Sequence, residues 1–223
     1  MPGLDRAAEL VRQLAPVVDW FKIGLELWAA AGREALELVA GAGKQVFLDV
    51  KFHDIPATVA GAGRVVAALP GVGMWNVHAA GGEAMLREAV AANREAGGAR
   101  LLGVTVLTSL DEADLEATGI RAFSVTDQVL VLARLCLKAG LDGVVASPRE
   151  VAAVRKACGP DFLLVTPGVR PAGADAHDQR RVMTPAAAAR AGADFVVVGR
   201  PITAAPDPLA AACRVMAELE GPA

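Results

Sequence analysis

The sequence predicts an α/β fold built on a parallel sheet, and three observations predict it. Short apolar segments of strand length alternate with longer amphipathic segments along the chain. Several of the short segments are apolar almost throughout, as strands are when helices cover a parallel sheet. Ala-Gly pairs precede several of them (Ala42-Gly43, Ala139-Gly140 and Ala191-Gly192), the mark of a helix end followed by re-entry into the sheet.

The chain opens on a charged amphipathic helix, MPGLDRAAELVRQL, which lacks the apolar run of a signal peptide. Strands are then expected at 17–23, 45–50, 74–78, 101–106, 143–146, 162–165 and 195–198. Helices are expected between them at 26–40, 58–69, 83–96, 126–139, 148–158 and 184–191. The strand count of seven fits a doubly wound open sheet as well as a barrel lacking one strand, because a closed barrel of this class has eight. No GxGxxG opens a strand–helix turn, which argues against a dinucleotide-binding sheet.

The 223 residues suit one domain, 1–223, with no linker or low-complexity segment. At 54% hydrophobic and 21% charged residues, the chain can bury a large core, and the composition argues against disorder. The net charge of −3 is spread along the chain without a basic stretch, so a nucleic acid is a poor partner. A small phosphate needs only a few placed cations. Cys136, Cys158 and Cys213 all fall in helical segments without CxxC spacing, which points to reduced thiols in a cytoplasmic protein, not a disulfide frame or zinc site. No apolar run approaches the ~18 residues of a membrane span.

Three segments carry chemistry. In Phe47-Leu48-Asp49-Val50-Lys51-Phe52-His53-Asp54-Ile55-Pro56, alternation puts Asp49 and Lys51 on one side of a strand and Leu48 and Val50 on the other. Two charges at the inner end of a strand must pair with each other or meet a ligand, since burying them otherwise is costly. A buried Asp49–Lys51 ion pair with a helix-capping Asp54 is the purely structural alternative. In Val198-Gly199-Arg200-Pro201-Ile202 a strand ends in a glycine followed by an arginine, which suits either a phosphate cradle or an ordinary turn. Thr166-Pro167-Gly168-Val169-Arg170 leads into a long polar loop ending at Gln179-Arg180-Arg181-Val182-Met183, either an active-site lid or a solvated surface loop.

Asp49-x-Lys51-x-x-Asp54-Ile55-Pro56-x-Thr58 resembles the signature of the orotidine 5′-phosphate decarboxylase family. Phe21-Lys22-Ile23-Gly24, Asn76-Val77-His78-Ala79, Thr105-Val106-Leu107-Thr108-Ser109, the segments 165–170 and 179–185, and Val198-Gly199-Arg200-Pro201-Ile202 follow in that family's order over essentially the whole chain. The resemblance implies a (β/α)8 TIM barrel that removes carbon dioxide from orotidine 5′-phosphate without cofactor or metal. By resemblance, Lys22, Asp49, Lys51 and Asp54 form an alternating charged array, with Lys51 as proton donor to C6 of the pyrimidine. Asp54, with Ile55 and Thr58, would reach into the partner's site across a homodimer. Thr108 or Ser109 would face the pyrimidine edge, and Pro167 would line the pocket. Gln179, Gly199 and Arg200 would hold the 5′-phosphate, with Arg170 supporting that side. His78 reads as a structural hydrogen-bonding residue, and His53 and His177 as surface or loop residues.

The chain departs from the family at its start. Members begin with a strand ending in a ribose-binding aspartate, and Asp5, in the following helix, is no substitute for it. The expectation is therefore a barrel whose first strand is missing, with a late-assigned start favoured over a true absence. Such a barrel would expose two parallel edges and one flank of its core. A related class, the magnesium-dependent 3-keto-gulonate phosphate decarboxylases and hexulose-phosphate synthases, shares Asp-x-Lys-x-x-Asp. That class has a carboxylate where this chain has Lys22, and an ammonium cannot ligate magnesium. A non-catalytic barrel that binds nucleotides is the remaining alternative.

Overall fold

The computed structural model describes residues 3–121, 123–171 and 183–220. The strands are β1 (Trp20–Gly24), β2 (Gln45–Phe52), β3 (Val72–His78), β4 (Arg100–Val104), β5 (Gly143–Val145), β6 (Leu163–Thr166) and β7 (Phe195–Val196). The helices are α1 (Leu4–Leu14), α2 (Leu25–Ala31), α3 (Arg33–Gly41), α4 (Pro56–Ala67), α5 (Gly82–Glu95), α6 (Glu112–Ala117), α7 (Val125–Ala139), α8 (Val151–Cys158), α9 (Pro185–Ala191), α10 (Arg200–Thr203) and α11 (Pro208–Glu220).

All seven strands pair in parallel and in chain order, β1 to β7. That order separates the two sheet architectures. A doubly wound sheet reverses its strand order and so places helices on both faces. A monotonic order with right-handed crossovers puts every helix on the same face, so the sheet must curl and pack its other face against itself. Two apolar clusters record this. Leu48, Trp75, Leu101, Val144 and Leu164 face the helices, whereas Phe47, Met74, Leu102, Val104, Val145 and Val165 pack together inside the curl. Trp20 of β1 meets Phe195 of β7 edge-on with ring centroids 5.5 Å apart, and the Arg100 guanidinium sits over both rings.

The seven strands curl into a half-barrel, with no pairing between β1 and β7 among the described residues. The sheet ends at β1 on one side and β7 on the other, and an apolar cavity of about 160 Å³, bordered by Val18, Trp20, Phe195, Val198, Val215 and Leu219, lies between them. The expected exposure of one flank is partial, for Trp20, Phe195, Val197 and Val198 are half-buried around that cavity. Helices α1 and α11 pack across it, where Leu14, Ile202, Ala211, Ala212 and Val215 form a third buried cluster.

Local chemistry explains where elements differ from their expected limits. The single helix expected over 26–40 is two, because Gly32 breaks it with φ 53° and ψ −128°, a conformation that favours glycine. Strand β1 starts at Trp20, not at residue 17, since Val17 and Val18 still donate to the Leu14 carbonyl at the end of α1. Strand β7 stops at Val196, although Val197 N still donates to Thr166 O at 2.8 Å. The short helix α6, absent from the expected set, is closed by a reciprocal capping box between Asp111 and Asp114.

Candidate active site

The C-terminal ends of the strands open onto a cavity of about 550 Å³. Lys22, Asp49, Lys51, Thr108, Pro167, Arg170, Gly199 and Arg200 line it, so the structure brings together eight residues that the sequence singles out. Each comes from the end of a different strand or the loop after it, apart from neighbours within one segment. Glu26, Ser147 and Thr203 line it as well and were not expected.

At the floor stands Asp49. Its Oδ2 lies 3.2 Å from Lys22 Nζ on the neighbouring strand, and its Oδ1 lies 2.6 Å from Lys51 Nζ. Burial works to raise the Asp49 pKa, but the charges of Lys22 and Lys51 and hydrogen bonds from Lys51 and Asn76 outweigh it. The carboxyl is held below its ordinary value. The result is a cation–anion–cation row in which the carboxylate is largely buried and both ammonium groups keep some contact with solvent.

The backbone under this row is irregular. In the β2–β3 ladder Leu48 pairs with Trp75 and the next pairing is Phe52 with Val77, so residues 49–51 face Asn76 alone. This is a bulge, the device by which a strand re-aims a side chain near a site. Lys51 adopts φ 53°, and no other non-glycine residue among those described has positive φ. Such a conformation costs a lysine about 1–3 kcal/mol and persists only where neighbours hold it. Asn76 contacts both ends of the bulge: its Oδ1 accepts from Lys51 N at 2.8 Å, and its Nδ2 donates to Asp49 Oδ1 at 2.7 Å.

Across the cavity stand two arginines. Arg170 is buried, donates from Nη1 to Val169 O at 3.0 Å, and has an Nε without a partner among the described residues. Burial, and after it the charge of Arg200, makes its guanidinium easier to deprotonate than an ordinary arginine. Two like charges gathered at one rim favour an anion there. The isolated bridge Val169–Met183, with Arg170 N donating to Met183 O at 2.9 Å, fixes this segment.

The remaining expected residues lie elsewhere. Asp54, Ile55 and Thr58 are exposed and outside the cavity of their own chain, Ile55 at 67% exposure. Asp54 does not cap α4, whose N-cap is Ile55 without a side-chain bond; its Oδ1 accepts from Ile55 N at 2.6 Å. Of Thr108 and Ser109, Thr108 lines the cavity, whereas Ser109 is exposed and does not. Gln179 and His177, with most of the expected lid, lie outside the described residues. His78 is a hydrogen-bonding residue as expected, its Nδ1 accepting from Ala80 N at 3.4 Å. Its ring stacks on His53 with centroids 5.3 Å apart. Burial, then the charges of His53 and Lys51, lowers its pKa.

Among the described residues no three His, Cys, Asp or Glu side chains cluster as a metal site, and no helix is long and apolar enough to cross a membrane.

Comparison with known proteins gives a consistent answer. The family described as orotidine 5′-phosphate decarboxylase / HUMPS matches residues 1–215. A protein of Moorella thermoacetica named orotidine 5′-phosphate decarboxylase is 56% identical over 227 residues, covering 99% of this chain and 89% of that protein. One of the same name from Syntrophomonas wolfei is 47% identical, covering 97% of this chain and 93% of its own length. The crystal structure of orotidine 5′-phosphate decarboxylase from Lactobacillus acidophilus superposes with a TM-score of 0.84 at 34% identity, covering 99% of this chain and 96% of that one. The chain belongs to the orotidine 5′-phosphate decarboxylase / HUMPS family.

Proposed function

We propose that this chain is a single barrel domain that decarboxylates orotidine 5′-phosphate to uridine 5′-phosphate, the last step of de novo pyrimidine nucleotide synthesis. The observation that carries the reading is the Lys22–Asp49–Lys51 row at the floor of a cavity whose rim holds Arg170 and Arg200. The identity of 47% to 56% with relatives named for that reaction supports it.

The reaction breaks the C6–carboxylate bond and leaves the electron pair on a ring carbon with no adjacent electron sink. Fixed charge is what this cavity offers for that task. Asp49 stands where it repels the substrate carboxylate, and the Lys51 ammonium stabilises the developing carbanion. Lys51 then transfers its proton to C6 as carbon dioxide departs. Lys22 keeps Asp49 ionised and in place. The 5′-phosphate goes to Gly199, Arg200 and Gln179, with Arg170 supporting that side, while Thr108 and Pro167 border the base. Binding energy from that remote phosphate is then available to close the site over the charged row. The reading needs no cofactor.

Asp54, Ile55 and Thr58, exposed on their own chain, are assigned to the cavity of a second copy in a homodimer. The enzyme is placed in the cytoplasm and has no nucleic-acid partner. Mixing inactive Lys51→Ala and Asp54→Ala proteins tests the shared site. Random reassortment leaves one intact site in the mixed dimer, so about a quarter of wild-type activity returns; no recovery, with subunit exchange verified, refutes the assignment.

Arg200→Ala tests the phosphate role. It lowers kcat/KM for orotidine 5′-phosphate much more than for the nucleoside lacking phosphate, and equal losses refute the role. The magnesium-dependent reading requires a divalent cation at Asp49, a carboxylate that Lys22 and Lys51 already engage. Turnover that survives a chelator excludes it.

A further inference from the structure

We infer that Asn76 is the positioning residue of the charged row, setting the rotation of Asp49 and the backbone of Lys51 together through one buried carboxamide. The inference rests on the decarboxylase reading above and assigns a role to a residue that touches no substrate in it.

Asn76 lies in β3, directly after its apolar first half, and it is 0% exposed. A carboxamide buried that completely must have its hydrogen bonds satisfied. It bonds to the row at both ends: Lys51 N at 2.8 Å and Asp49 Oδ1 at 2.7 Å. The bulge explains why a side chain is needed. With residues 49–51 facing Asn76 alone, the regular ladder provides no β3 carbonyl for Lys51 N, and Asn76 Oδ1 takes that place. The same bond holds the backbone at the residue with φ 53°. The other end of the carboxamide donates to the carboxylate oxygen that Lys51 Nζ also reaches, at 2.6 Å. Asp49 is thereby fixed from three strands: by Lys22 from β1, Lys51 from its own β2, and Asn76 from β3.

An acceptor and a donor on one planar group cannot be replaced by a carboxylate without consequence. Asn76→Asp keeps the size and the acceptor for Lys51 N but sets a second acid against Asp49. Two carboxylates at hydrogen-bond distance cannot both ionise freely. The variant regains a donor only when the new acid is protonated. The titratable groups around the pair are Lys22 and Lys51, with His78 and His53 beyond Lys51, and Glu26, Arg170 and Arg200 elsewhere in the cavity wall. All of these are common to wild type and variant, so the ratio of their activities isolates the substituted position.

The test measures kcat and KM for orotidine 5′-phosphate from pH 5 to 9 in wild type, Asn76→Ala and Asn76→Asp, with folding checked by circular dichroism. Asn76→Ala lowers kcat about 10- to 100-fold, the loss expected for a hydrogen bond to a charged group. Its KM and its affinity for uridine 5′-phosphate stay within about threefold, as for an interaction realised only in the transition state. The Asn76→Asp to wild-type ratio of kcat rises as the pH falls. A kcat of Asn76→Ala within twofold of wild type, or a ratio independent of pH, overturns the inference while leaving the decarboxylase reading intact. A folded but silent wild type overturns that reading and this inference with it. If Asn76→Ala does not fold, Asn76→Asp, which preserves the Lys51 acceptor, decides the matter through its pH-dependent ratio.

Discussion

Replacing Asp49 by asparagine removes one negative charge and almost no volume, so it isolates the electrostatic part of the site's stability. At an effective dielectric constant near 20, charges 3.2 Å and 2.6 Å apart, as for Lys22 and Lys51, attract Asp49 by about 5 and about 6 kcal/mol. Most of that offsets the cost of bringing the carboxylate in from water. Breaking a fully buried pair costs about 3–5 kcal/mol net. Here the lysine side chains keep 34% and 28% exposure, and water takes over part of their solvation, so the expected loss is about 2 kcal/mol. For a chain of this size that is a fall in Tm of about 4–8 °C at pH 7.

The pH dependence gives the sharper signature. The Asp49 pKa is depressed below its ordinary value of 3.8, so its contribution is complete above that value and disappears as pH falls through the lower, folded-state pKa. The asparagine of the variant cannot titrate. The difference in Tm between the two proteins is therefore constant from neutral pH down to about 5 and closes below about 4. Calorimetry at pH 7, 5, 4 and 3 measures it. A gap as large at pH 3 as at pH 7, or a variant as stable as wild type at pH 7, would refute the reasoning.

Other regions make independent predictions. Gly63 in α4 lies so close to β3 that a Cβ on it would stand 2.7 Å from Trp75 Cη2. Gly63→Ala should thus cost about 1–3 kcal/mol by overpacking, read as a lower denaturant midpoint, and an unchanged midpoint contradicts the close approach. Asn93 accepts from Trp75 Nε1 at 2.7 Å and donates to Ala99 O at 2.6 Å. Asn93→Leu strands both groups, with an expected loss of about 2–4 kcal/mol in urea unfolding; a loss under about 0.5 kcal/mol speaks against the contact. Burial pushes the Cys136 thiol up to about 12, while Cys213 is exposed. Ellman's reagent at pH 8 should label Cys213 in the native protein and Cys136 only after denaturation, and rapid native labelling of Cys136 would show that its packing is misdescribed.

The strands were legible because a parallel sheet under helices favours apolar segments, and seven segments of strand length stand in the sequence, several of them apolar almost throughout. The Ala-Gly ends were legible for a local reason: Gly140 and Gly192 take left-handed conformations that close α7 and α9. The approach of the sheet's two ends was not, because the contact of Trp20 with Phe195 joins residues distant in sequence. In the site, alternation placed Asp49 and Lys51 together, but it presumes a regular strand. The bulge and the positive φ of Lys51 break that regularity, and no pattern in 45–52 announces them. Asn76 did leave a signal, a lone amide inside a largely apolar strand, yet its meaning depends on which strand lies beside it. Asp54, Ile55 and Thr58 share the signature segment with Lys51; the resemblance implied that they serve another chain, and in the fold they lie exposed outside their own cavity.

The most direct measurement is the loss of ultraviolet absorbance of orotidine 5′-phosphate, with and without a chelator, in the purified chain and in one carrying an additional strand ahead of residue 1. Each is compared with its own Lys51→Ala form. The expected result is chelator-insensitive conversion to uridine 5′-phosphate that vanishes with Lys51. Folded protein that is silent in both versions, or turnover that persists without Lys51, would contradict it.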